Sequence, residues 1–307
     1  MTDNQFDLII VGIGPAGLTA AIYAQRMGLK VVVFGNTPGG NLYMVESLMN
    51  YPGFPGGIAG TQFGVSTYQQ AQQEGAVIPL TLIGELNTAD NRFIGTDEYG
   101  KQYAAPAAIL ATGRKPKTLD VPNANKPGMY FCSVCDGPLF RGKNATLAVL
   151  GGDNMAGQHS LALSKIANRV ILIHEQDQLK METVIQKKIE QQDNIEVMLN
   201  MEVVGFTGQD EIEGIVALKR MKEEETIPVD GVFTAFGWLP NTDMVKIPVE
   251  RTSEGYIKTD AKLMTSFPGL FAAGDVRDTD MWQVITACSD GARAAKYASE
   301  YLEGINI

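Results

Sequence analysis

The sequence predicts an α/β fold, because apolar runs that suit buried strands alternate with helical patterns and the alternation begins twice. One glycine-rich turn follows an apolar run over 6–11, and another follows a run over 145–150, about 139 residues later. A segment of small residues over 269–275 and a helical pattern over 283–301 close the chain. Each beginning predicts a strand, a helix and a parallel strand, which is the repeating unit of a layered α/β domain.

The elements of the first unit follow from its sequence in order. The run over 6–11 is apolar throughout, as is typical of a strand buried on both faces. An alanine-rich helix is predicted over 18–27, a second strand over 29–34 and a third over 107–111. The segment over 51–57 contains two prolines and three glycines, which predicts a shaped loop.

The second unit repeats this order. Strands are predicted over 145–150 and 169–173, with a helix over 157–166 between them. The acidic run over 222–225 predicts an exposed hairpin tip.

Two candidate linkers define the domain organisation. The segment 114–118 is basic and contains a proline, and 239–242 contains Pro-Asn. They predict a unit over 117–241 inserted into a domain made of 1–116 and 242–307. We therefore expect two Rossmann-like dinucleotide-binding domains, the second inserted into the first.

Charge and hydropathy exclude several classes of partner. The 307 residues include 25 Lys and Arg against 35 Asp and Glu, which gives a net charge of −10. Nucleic acid or an anionic membrane would be repelled, so neither is expected as a partner. No apolar run reaches the ~18 residues of a membrane helix, and the acidic N-terminus is unlike a signal peptide. We expect a cytoplasmic protein.

The first glycine turn predicts a dinucleotide site. Gly12, Gly14 and Gly17 form a Gly-x-Gly-x-x-Gly motif between a predicted strand and a predicted helix. They serve, in order, the tight turn, the backbone approach to a pyrophosphate and the packing of helix on strand. The second strand ends without the usual carboxylate for the ribose, so Asn36 or Thr37 is expected to bind a ribose hydroxyl instead.

The cysteines predict redox chemistry rather than a metal site. Cys132 and Cys135 form a Cys-x-x-Cys pair, whereas a structural zinc needs four ligands. Cys288, His159 and His174 lack companion spacing, so we predict no metal. Cys288 is expected to be a small buried residue and the two histidines to occupy surface or turn positions. A dithiol/disulfide pair is the favoured interpretation.

Together these motifs resemble the low-molecular-weight thioredoxin reductases along nearly the whole chain. The resemblance rests on Gly12–Gly17, Gly39-Gly40-Asn41, Tyr51-Pro52-Gly53, Ala111-Thr112-Gly113, Cys132-Ser133-Val134-Cys135-Asp136-Gly137 and Ala273-Gly274-Asp275. It implies a two-domain flavoprotein disulfide reductase, with FAD in the first domain, thioredoxin or a similar small protein as substrate, and a homodimeric assembly.

The resemblance also implies a set of FAD-binding residues. It places Asp275 on the ribityl chain and Gln283-Val284 at the pyrimidine edge of the flavin. The full expected set is Gly12, Gly14, Pro15, Ala16, Gly17, Asn36, Gly40, Asn41, Asn50, Thr112, Gly113, Gly274, Asp275, Gln283 and Val284.

The cysteine roles follow from the resemblance and from thiolate chemistry. Reduced FAD would pass two electrons to the Cys132–Cys135 disulfide. Cys135 would face the flavin, and the Cys132 thiolate would attack the partner disulfide to form a mixed disulfide. Asp136 would donate and accept the proton. Members of the family alternate between two domain orientations, for which the paired linkers would serve as a hinge.

The second glycine turn departs from the family pattern and makes NADPH doubtful. Asp153 stands where a third glycine is expected, so its carboxylate should project into the space for a pyrophosphate. His174-Glu175-Gln176 replaces the His-Arg-Arg stretch that grips the 2′-phosphate.

Two donors remain open. Glu175 lies 23 residues after Gly152, where an acid would bind the ribose diol of NADH. Alternatively the nucleotide site has decayed and reduced ferredoxin supplies electrons, which we favour because NADH leaves Asp153 unexplained. An acidic ferredoxin would need a basic patch. The candidates for it are Arg114, Lys115, Lys117, Lys126, Arg141 and Lys143.

Two further functions and one residue stay open. A ferredoxin–NADP-type flavin oxidoreductase would move electrons without thiols, and a flavin-bearing redox sensor would bind FAD without turnover. Trp282 stands where the family has arginine, and it would either cover the flavin or serve as an interface or core tryptophan.

Overall fold

The chain divides into two compact units, Met1–Lys115 with Leu239–Ile307 and Pro116–Trp238. The computed structural model describes residues 5–45, 48–117, 119–131, 133–220 and 223–304, without the side chains of Val134 and Cys135. No helix in these ranges is both long and apolar enough to cross a membrane.

The described chain contains β-strands, α-helices and 3₁₀ helices. The strands are β1 (Leu8–Val11), β2 (Val31–Phe34), β3 (Ile83–Ala89), β4 (Arg92–Asp97), β5 (Gln102–Ala105), β6 (Ala107–Leu110), β7 (Arg114–Pro116), β8 (Met129–Tyr130), β9 (Thr146–Leu150), β10 (Arg169–His174), β11 (Ile195–Leu199), β12 (Met201–Thr207), β13 (Gly214–Lys219), β14 (Glu223–Pro228), β15 (Gly231–Thr234), β16 (Trp238–Pro240) and β17 (Leu270–Ala272). The α-helices are α1 (Pro15–Arg26), α2 (Gly60–Gln73), α3 (Ser133–Asp136), α4 (Asn154–Leu163), α5 (Thr183–Glu190) and α6 (Val284–Leu302), and 3₁₀ helices occupy Gly40–Met44, Gly137–Phe140 and Gly274–Val276.

The first unit is built on a parallel four-stranded sheet in the order β17-β6-β1-β2. Successive residues of β1 point to opposite faces. Leu8 packs in one cluster with Leu18 of α1 and Ala294 of α6, whereas Ile9 packs with Phe93 of the antiparallel sheet β3-β4-β5. Because both faces are covered, the strands are apolar throughout, as the sequence predicts.

The second unit contains a parallel sheet in the order β11-β10-β9-β15-β8 and an antiparallel sheet β12-β13-β14. Along β9 the two faces again alternate. Leu147 packs with Leu163 of α4, and Ala148 packs with Phe206 of β12. The predicted α/β fold with parallel sheets is confirmed.

Two details of the predicted elements are wrong. The helices α1 and α4 begin three residues before their predicted starts of 18 and 157. Proline suits the first helical position, and Asp153 caps α4, so each helix begins directly after its glycine turn. The segment Glu223–Glu225 is not a hairpin tip: these residues are exposed, but they lie in β14 and pair with β13. Lys222 lies outside the described residues.

Candidate functional site

The turn after β1 is shaped by glycines that no other residue can replace. Gly12 has φ +120°, and a Cβ there would lie 2.1 Å from the carbonyl oxygen of Ala111. A Cβ on Gly17 would lie 1.8 Å from the carbonyl oxygen of Gly12. The turn and α1 are therefore held in direct backbone contact with the end of β6.

The start of α1 is open. Gly14 is its N-cap residue, and no described side chain forms a capping hydrogen bond there. A Cβ on Gly14 would find Gly39 O as its nearest atom, 4.0 Å away. Gly40 lies across the turn with φ +53°, and a Cβ on it would be 3.2 Å from the Gly14 Cα. Unpaired N–H groups at a helix start beside such space suit a phosphate group.

The predicted residues at the neighbouring strand ends lie at the same edge of the sheet. Thr112 and Gly113 follow β6, and the Thr112 hydroxyl donates to the Asn241 carbonyl oxygen over 2.6 Å. Gly274 follows β17 with φ +73°, and a Cβ on it would lie 2.9 Å from the Cβ of Ala16. The carboxyl ends of parallel strands form the usual ligand crevice of such sheets.

Asn36 follows β2, the remaining strand of this sheet. It is exposed, and its side-chain oxygen accepts from the hydroxyl of Thr37 over 3.1 Å. Both candidates for the ribose contact are therefore adjacent and polar.

Arg114 joins several predicted residues, although sequence reasoning assigned it only to a linker and a basic patch. Asn41 Nδ2 donates to the Arg114 carbonyl oxygen over 2.9 Å, and Arg114 Nε donates to Asp275 Oδ2 over 3.3 Å. Its guanidinium lies 4.7 Å from the centre of the Trp282 ring, and that ring lies 5.7 Å from the ring of Tyr256. The signal for Arg114 was its position directly after Thr112-Gly113.

Two opposing effects act on the pKa of Asp275. Burial raises the pKa of this carboxyl above its ordinary value, and the neighbouring Arg114 guanidinium opposes the increase. The pair therefore presents a partly buried acceptor group held by a cation.

A second hydrogen bond joins distant segments of the predicted site. Asn50 Nδ2 donates to Gln283 Oε1 over 2.9 Å. Gln283 is the N-cap residue of α6 and forms a capping box with Thr286, so the start of that helix is fixed. Val284, the first residue of α6, packs against a small cluster that contains Leu42.

Asp290 supports this edge, and sequence reasoning missed it. It is 7% exposed, and its Oδ2 accepts from the Gly274 N–H and from Arg277 Nη1, each over 3.1 Å. The only signal in the sequence was an acidic residue within an alanine-rich helix. Its hydrogen bond fixes the backbone at Gly274-Asp275.

Cys288 is buried, as predicted, in the same region of the first unit. Its Sγ lies 4.0 Å from the carbonyl oxygen of Pro15. Burial, with the neighbouring Cys288, raises the pKa of Tyr51 to about 12. Tyr51 therefore stays a neutral phenol.

The second glycine turn has the same backbone plan but a different chemistry. Gly151 has φ +144°, and a Cβ there would lie 2.3 Å from the Ala235 carbonyl oxygen. Asp153 is the N-cap residue of α4, and its Oδ1 accepts from the Ala156 N–H over 3.1 Å. The prediction that this carboxylate projects into the pyrophosphate space is corrected: it turns onto the helix and occupies an N–H group that an anion would use.

The last residue of β10 and the loop that follows it lie against this turn. A Cβ on Gly152 would be 2.5 Å from the His174 ring, and Lys180 N–H donates to the Gly152 carbonyl oxygen over 2.7 Å. Asn154 and Glu182 exchange two hydrogen bonds, of 2.9 and 2.7 Å. Protein groups therefore fill the approach to the start of α4.

His174 occupies the strand end where the family pattern expects arginines to follow. Burial lowers the pKa of its imidazole, and its Nε2 is buried without a partner among the described residues. Glu175 is exposed in the loop that follows. Glu175 and Gln176 stand where the two arginines are expected, so neither position supplies a cation for a 2′-phosphate.

The cysteine motif is only partly described. Cys132 and the side chain of Cys135 lie outside the described residues, so the predicted disulfide has no geometry here. Asp136 ends α3 and is half-buried. Burial, and next the charge of Asp136, raises the pKa of Tyr130.

His159 lies against this motif, which sequence reasoning missed. The prediction of a surface or turn position is wrong, because His159 is 4% exposed. Its Nδ1 lies 2.7 Å from the hydroxyl oxygen of Ser133, the residue that follows Cys132 in the chain. A histidine on an otherwise small and apolar helix face was the available signal.

The comparisons with known proteins agree with this arrangement. The chain matches the family "Pyridine nucleotide-disulphide oxidoreductase" over residues 6–291. It is 36% identical over 307 residues to "Thioredoxin reductase" of Treponema pallidum, with 98% of each chain covered. It is 35% identical over 309 residues to the "34.2 kDa protein in rubredoxin operon" of Clostridium pasteurianum, covering 98% of this chain and 99% of that one.

A solved structure shows the same fold. The crystal structure of T. acidophilum thioredoxin reductase superimposes with a TM-score of 0.88 and 30% identity, covering 99% of this chain and 100% of that one. The predicted resemblance to the thioredoxin reductases, with two Rossmann-like domains, is confirmed. The chain therefore belongs to the pyridine nucleotide-disulphide oxidoreductase family.

Proposed function

We propose that this protein is a flavoprotein disulfide reductase that passes electrons from FAD through the Cys132–Cys135 pair to thioredoxin or a similar small protein. The observation that carries the proposal is the near full-length identity to a protein named thioredoxin reductase, combined with the Cys-x-x-Cys motif. Bound FAD would supply two-electron transfer to the disulfide.

The residues at the first glycine turn suit FAD. The open N-terminus of α1 beside Gly14 and Gly40 would bind the pyrophosphate. Asp275, held by Arg114, would accept hydrogen bonds from the ribityl hydroxyls. The Asn50–Gln283 pair and the start of α6 would contact the pyrimidine edge.

The thiol steps use the residues of the second unit. The Cys132 thiolate would attack the partner disulfide, and Cys135 would then displace the reduced partner and restore the protein disulfide. Asp136 would hold the proton that the thiols release and take up. Each cycle moves two electrons and two protons to the partner.

We further propose that the electron donor is a reduced ferredoxin-type protein rather than NADPH, with NADH the less favoured donor. Asp153 caps the helix at which a dinucleotide would bind, and His174 packs against Gly152. The Clostridium relative, whose name places it in a rubredoxin operon, supports a link to iron-containing electron carriers.

Fewer than the six predicted cations are available to bind an acidic carrier. Arg114 pairs with Asp275, and Lys115 pairs with Asp243. Lys126 Nζ donates to the Gly208 carbonyl oxygen over 2.7 Å. The exposed cations that remain for docking are Lys117, Arg141 and Lys143.

The resemblance also supports a homodimer in the cytoplasm as part of this proposal. Gel filtration with light scattering would give twice the chain mass of 33.2 kDa. A monomer at micromolar concentration would contradict the dimer.

Anaerobic reduction of the bound flavin, followed by its absorbance, tests the donor. We expect reduced ferredoxin to bleach the flavin and NADPH to leave it oxidised. NADH, the less favoured donor, is tested in the same way. Rapid bleaching by NADPH would overturn the assignment.

A second experiment tests the thiol route. After chemical reduction of the flavin, the protein should reduce thioredoxin, and Cys132→Ala should abolish this. If Cys132→Ala kept full activity with the natural acceptor, a ferredoxin–NADP-type oxidoreductase would be the correct class. FAD binding without any turnover would indicate a redox sensor.

A further inference from the structure

The feature that the mechanism above does not use is the buried hydrogen bond between His159 and Ser133. His159 is 4% exposed and Ser133 is 6% exposed, and the Nδ1 and hydroxyl oxygen are 2.7 Å apart. Ser133 lies in α3, between the two cysteines of the Cys-x-x-Cys motif. A side chain of α4 therefore holds the side chain of Ser133, which lies between the two cysteines in the chain.

His159 makes this bond as a neutral imidazole. Burial lowers its pKa to about 4, and the more distant charge of Asp153 only partly opposes this. At neutral pH the ring therefore carries one N–H, and the Ser133 hydroxyl complements whichever tautomer is present. Neither group of this hydrogen bond therefore carries a charge.

A second contact fixes the other end of the motif to the same part of the unit. Gly137 is buried, and a Cβ on it would lie 2.9 Å from Ile166 Cδ1 and 3.2 Å from Leu163 Cδ2. Ser133 and Gly137 flank Cys135 and Asp136 in the chain. The described part of the motif is thus held at Ser133 by a hydrogen bond and at Gly137 by close packing.

We propose that His159 is a positioning residue of the Cys132–Cys135 centre, which sets the balance between its dithiol and disulfide forms by anchoring Ser133. The inference rests on the proposed redox role of the pair. A disulfide forms only within a narrow range of backbone separations. An anchored backbone loses less conformational entropy when the ring closes, so the anchor favours the disulfide.

The reaction that reports this effect is exchange with dithiothreitol. Reduced dithiothreitol gives two electrons and two protons to the protein disulfide; the Cys132–Cys135 bond breaks and the sulfur–sulfur bond of oxidised dithiothreitol forms. Loss of one buried hydrogen bond should favour the dithiol by about three- to tenfold in the equilibrium constant.

The experiment compares equilibrium constants in the FAD-loaded protein. After equilibration in dithiothreitol buffers, acid quenching and alkylation under denaturing conditions, mass spectrometry counts the thiols of Cys132 and Cys135. Cys288 serves as the internal reference for complete labelling. His159→Leu and Ser133→Ala should each shift the constant three- to tenfold, and the double variant should add nothing further.

Two variants separate positioning from general destabilisation. His159→Asn places an amide near the Nδ1 position and should restore the wild-type constant. Ser160→Ala is the matched control, because it removes a buried hydrogen bond from Ser160 Oγ to the Ala156 carbonyl oxygen, 2.9 Å long, in the same helix. It should leave the dithiothreitol constant unchanged, which would show that loss of a buried hydrogen bond elsewhere in α4 does not shift the dithiol balance.

The outcomes are separable from the proposed function. The inference is overturned if His159→Leu and Ser133→Ala stay within twofold of wild type, or if Ser160→Ala shifts the constant equally. If His159→Leu does not fold, Ser133→Ala and His159→Asn still decide the question. Failure of the wild-type protein to reduce thioredoxin would instead contradict the proposed function while leaving the dithiothreitol result intact.

Discussion

The two glycine turns share one backbone plan and differ in a few side chains. Both follow a parallel strand, both begin with a glycine at positive φ, and both lead into a helix. The cap of α1 is Gly14, which contributes no side chain, whereas the cap of α4 is Asp153, whose carboxylate already occupies a helix N–H. The fold supplies the helix terminus, and the cap residue decides whether a phosphate can use it.

The space at the two turns differs in the same sense. A Cβ on Gly14 would meet its nearest atom at 4.0 Å, whereas the equivalent position of the second turn is occupied by the side chain of Asp153. The residue before Asp153, Gly152, also lies against the His174 ring, 2.5 Å from where its Cβ would be. The comparison therefore ties the proposed FAD site, and the proposed loss of nicotinamide binding, to particular residues rather than to topology.

The largest effect is expected from closing the first turn. In Gly12→Ala the new Cβ would lie 2.1 Å from the Ala111 carbonyl oxygen. Because backbone atoms cannot yield that far, we expect colourless or insoluble protein, measured as FAD content after purification. Gly28→Ala is the control: it also has positive φ, but no atom lies within 4 Å, so it should cost about 1 kcal/mol and keep FAD. FAD retained at full occupancy in Gly12→Ala would break the comparison.

The next effect comes from copying the second turn into the first. Gly14→Asp should cap α1 and place a carboxylate beside the pyrophosphate, while the open space around Gly14 preserves the fold. Two like charges about 4 Å apart near a surface repel by about 4 kcal/mol, so FAD affinity should fall a hundredfold or more. Equilibrium dialysis measures the Kd, with Gly14→Ala as the uncharged control. Equal affinities of the two variants would show that charge is not the deciding factor.

The free energy of unfolding should depend on pH through His159 in α4, the helix after the second turn. The pKa of His159 is about 4 when folded, against 6.5 for an ordinary histidine, so the unfolded chain binds the extra proton between these values. This group's contribution to stability is complete above pH 6.5 and is lost as pH falls towards 4. The loss should approach about 3 kcal/mol.

Urea unfolding of wild type and His159→Asn between pH 7 and pH 4 measures this contribution. The variant lacks the imidazole, so its stability should fall less steeply over that range. Parallel curves for the two proteins would show that His159 does not titrate as its burial requires.

The smallest expected effect concerns the cap of α4. Asp153→Ala removes the hydrogen bond to the Ala156 N–H and should lower the free energy of unfolding by about 1 kcal/mol. Asp153→Asn retains an acceptor oxygen and should stay within a few tenths of a kcal/mol of wild type. Thermal unfolding followed by circular dichroism measures both. A stabilised Asp153→Ala would mean that the carboxylate does not act as a cap.

Local patterns predicted the central parallel strands but not the two antiparallel sheets, β3-β4-β5 and β12-β13-β14. Apolar runs bounded by glycine gave β1, β2, β6, β9 and β10 to within two residues at each end. The helix starts were predicted less accurately. Pro15 is the first residue of α1 and Asp153 is the cap of α4, and these roles can be assigned only when the geometry of each turn is known.

The site was predictable where residues act through their own position in the chain, and less so where they act through a distant partner. The glycines of the first turn follow a strand end and were predicted from their spacing, whereas Asp275 was predicted from the family resemblance. Arg114 acts on Asp275, 161 positions away, and His159 acts on Ser133, 26 positions away. Such contacts depend on how separate elements pack, and local sequence patterns do not predict that packing.

Equilibrium binding of NADPH to the FAD-loaded protein tests the asymmetry between the two turns most directly. Calorimetric titration of that protein should show no NADPH binding tighter than about millimolar, a binding free energy near −4 kcal/mol. A micromolar Kd for NADPH, unchanged in Gly14→Asp protein, would show that the capped terminus of α4 still accepts a dinucleotide and would contradict the account.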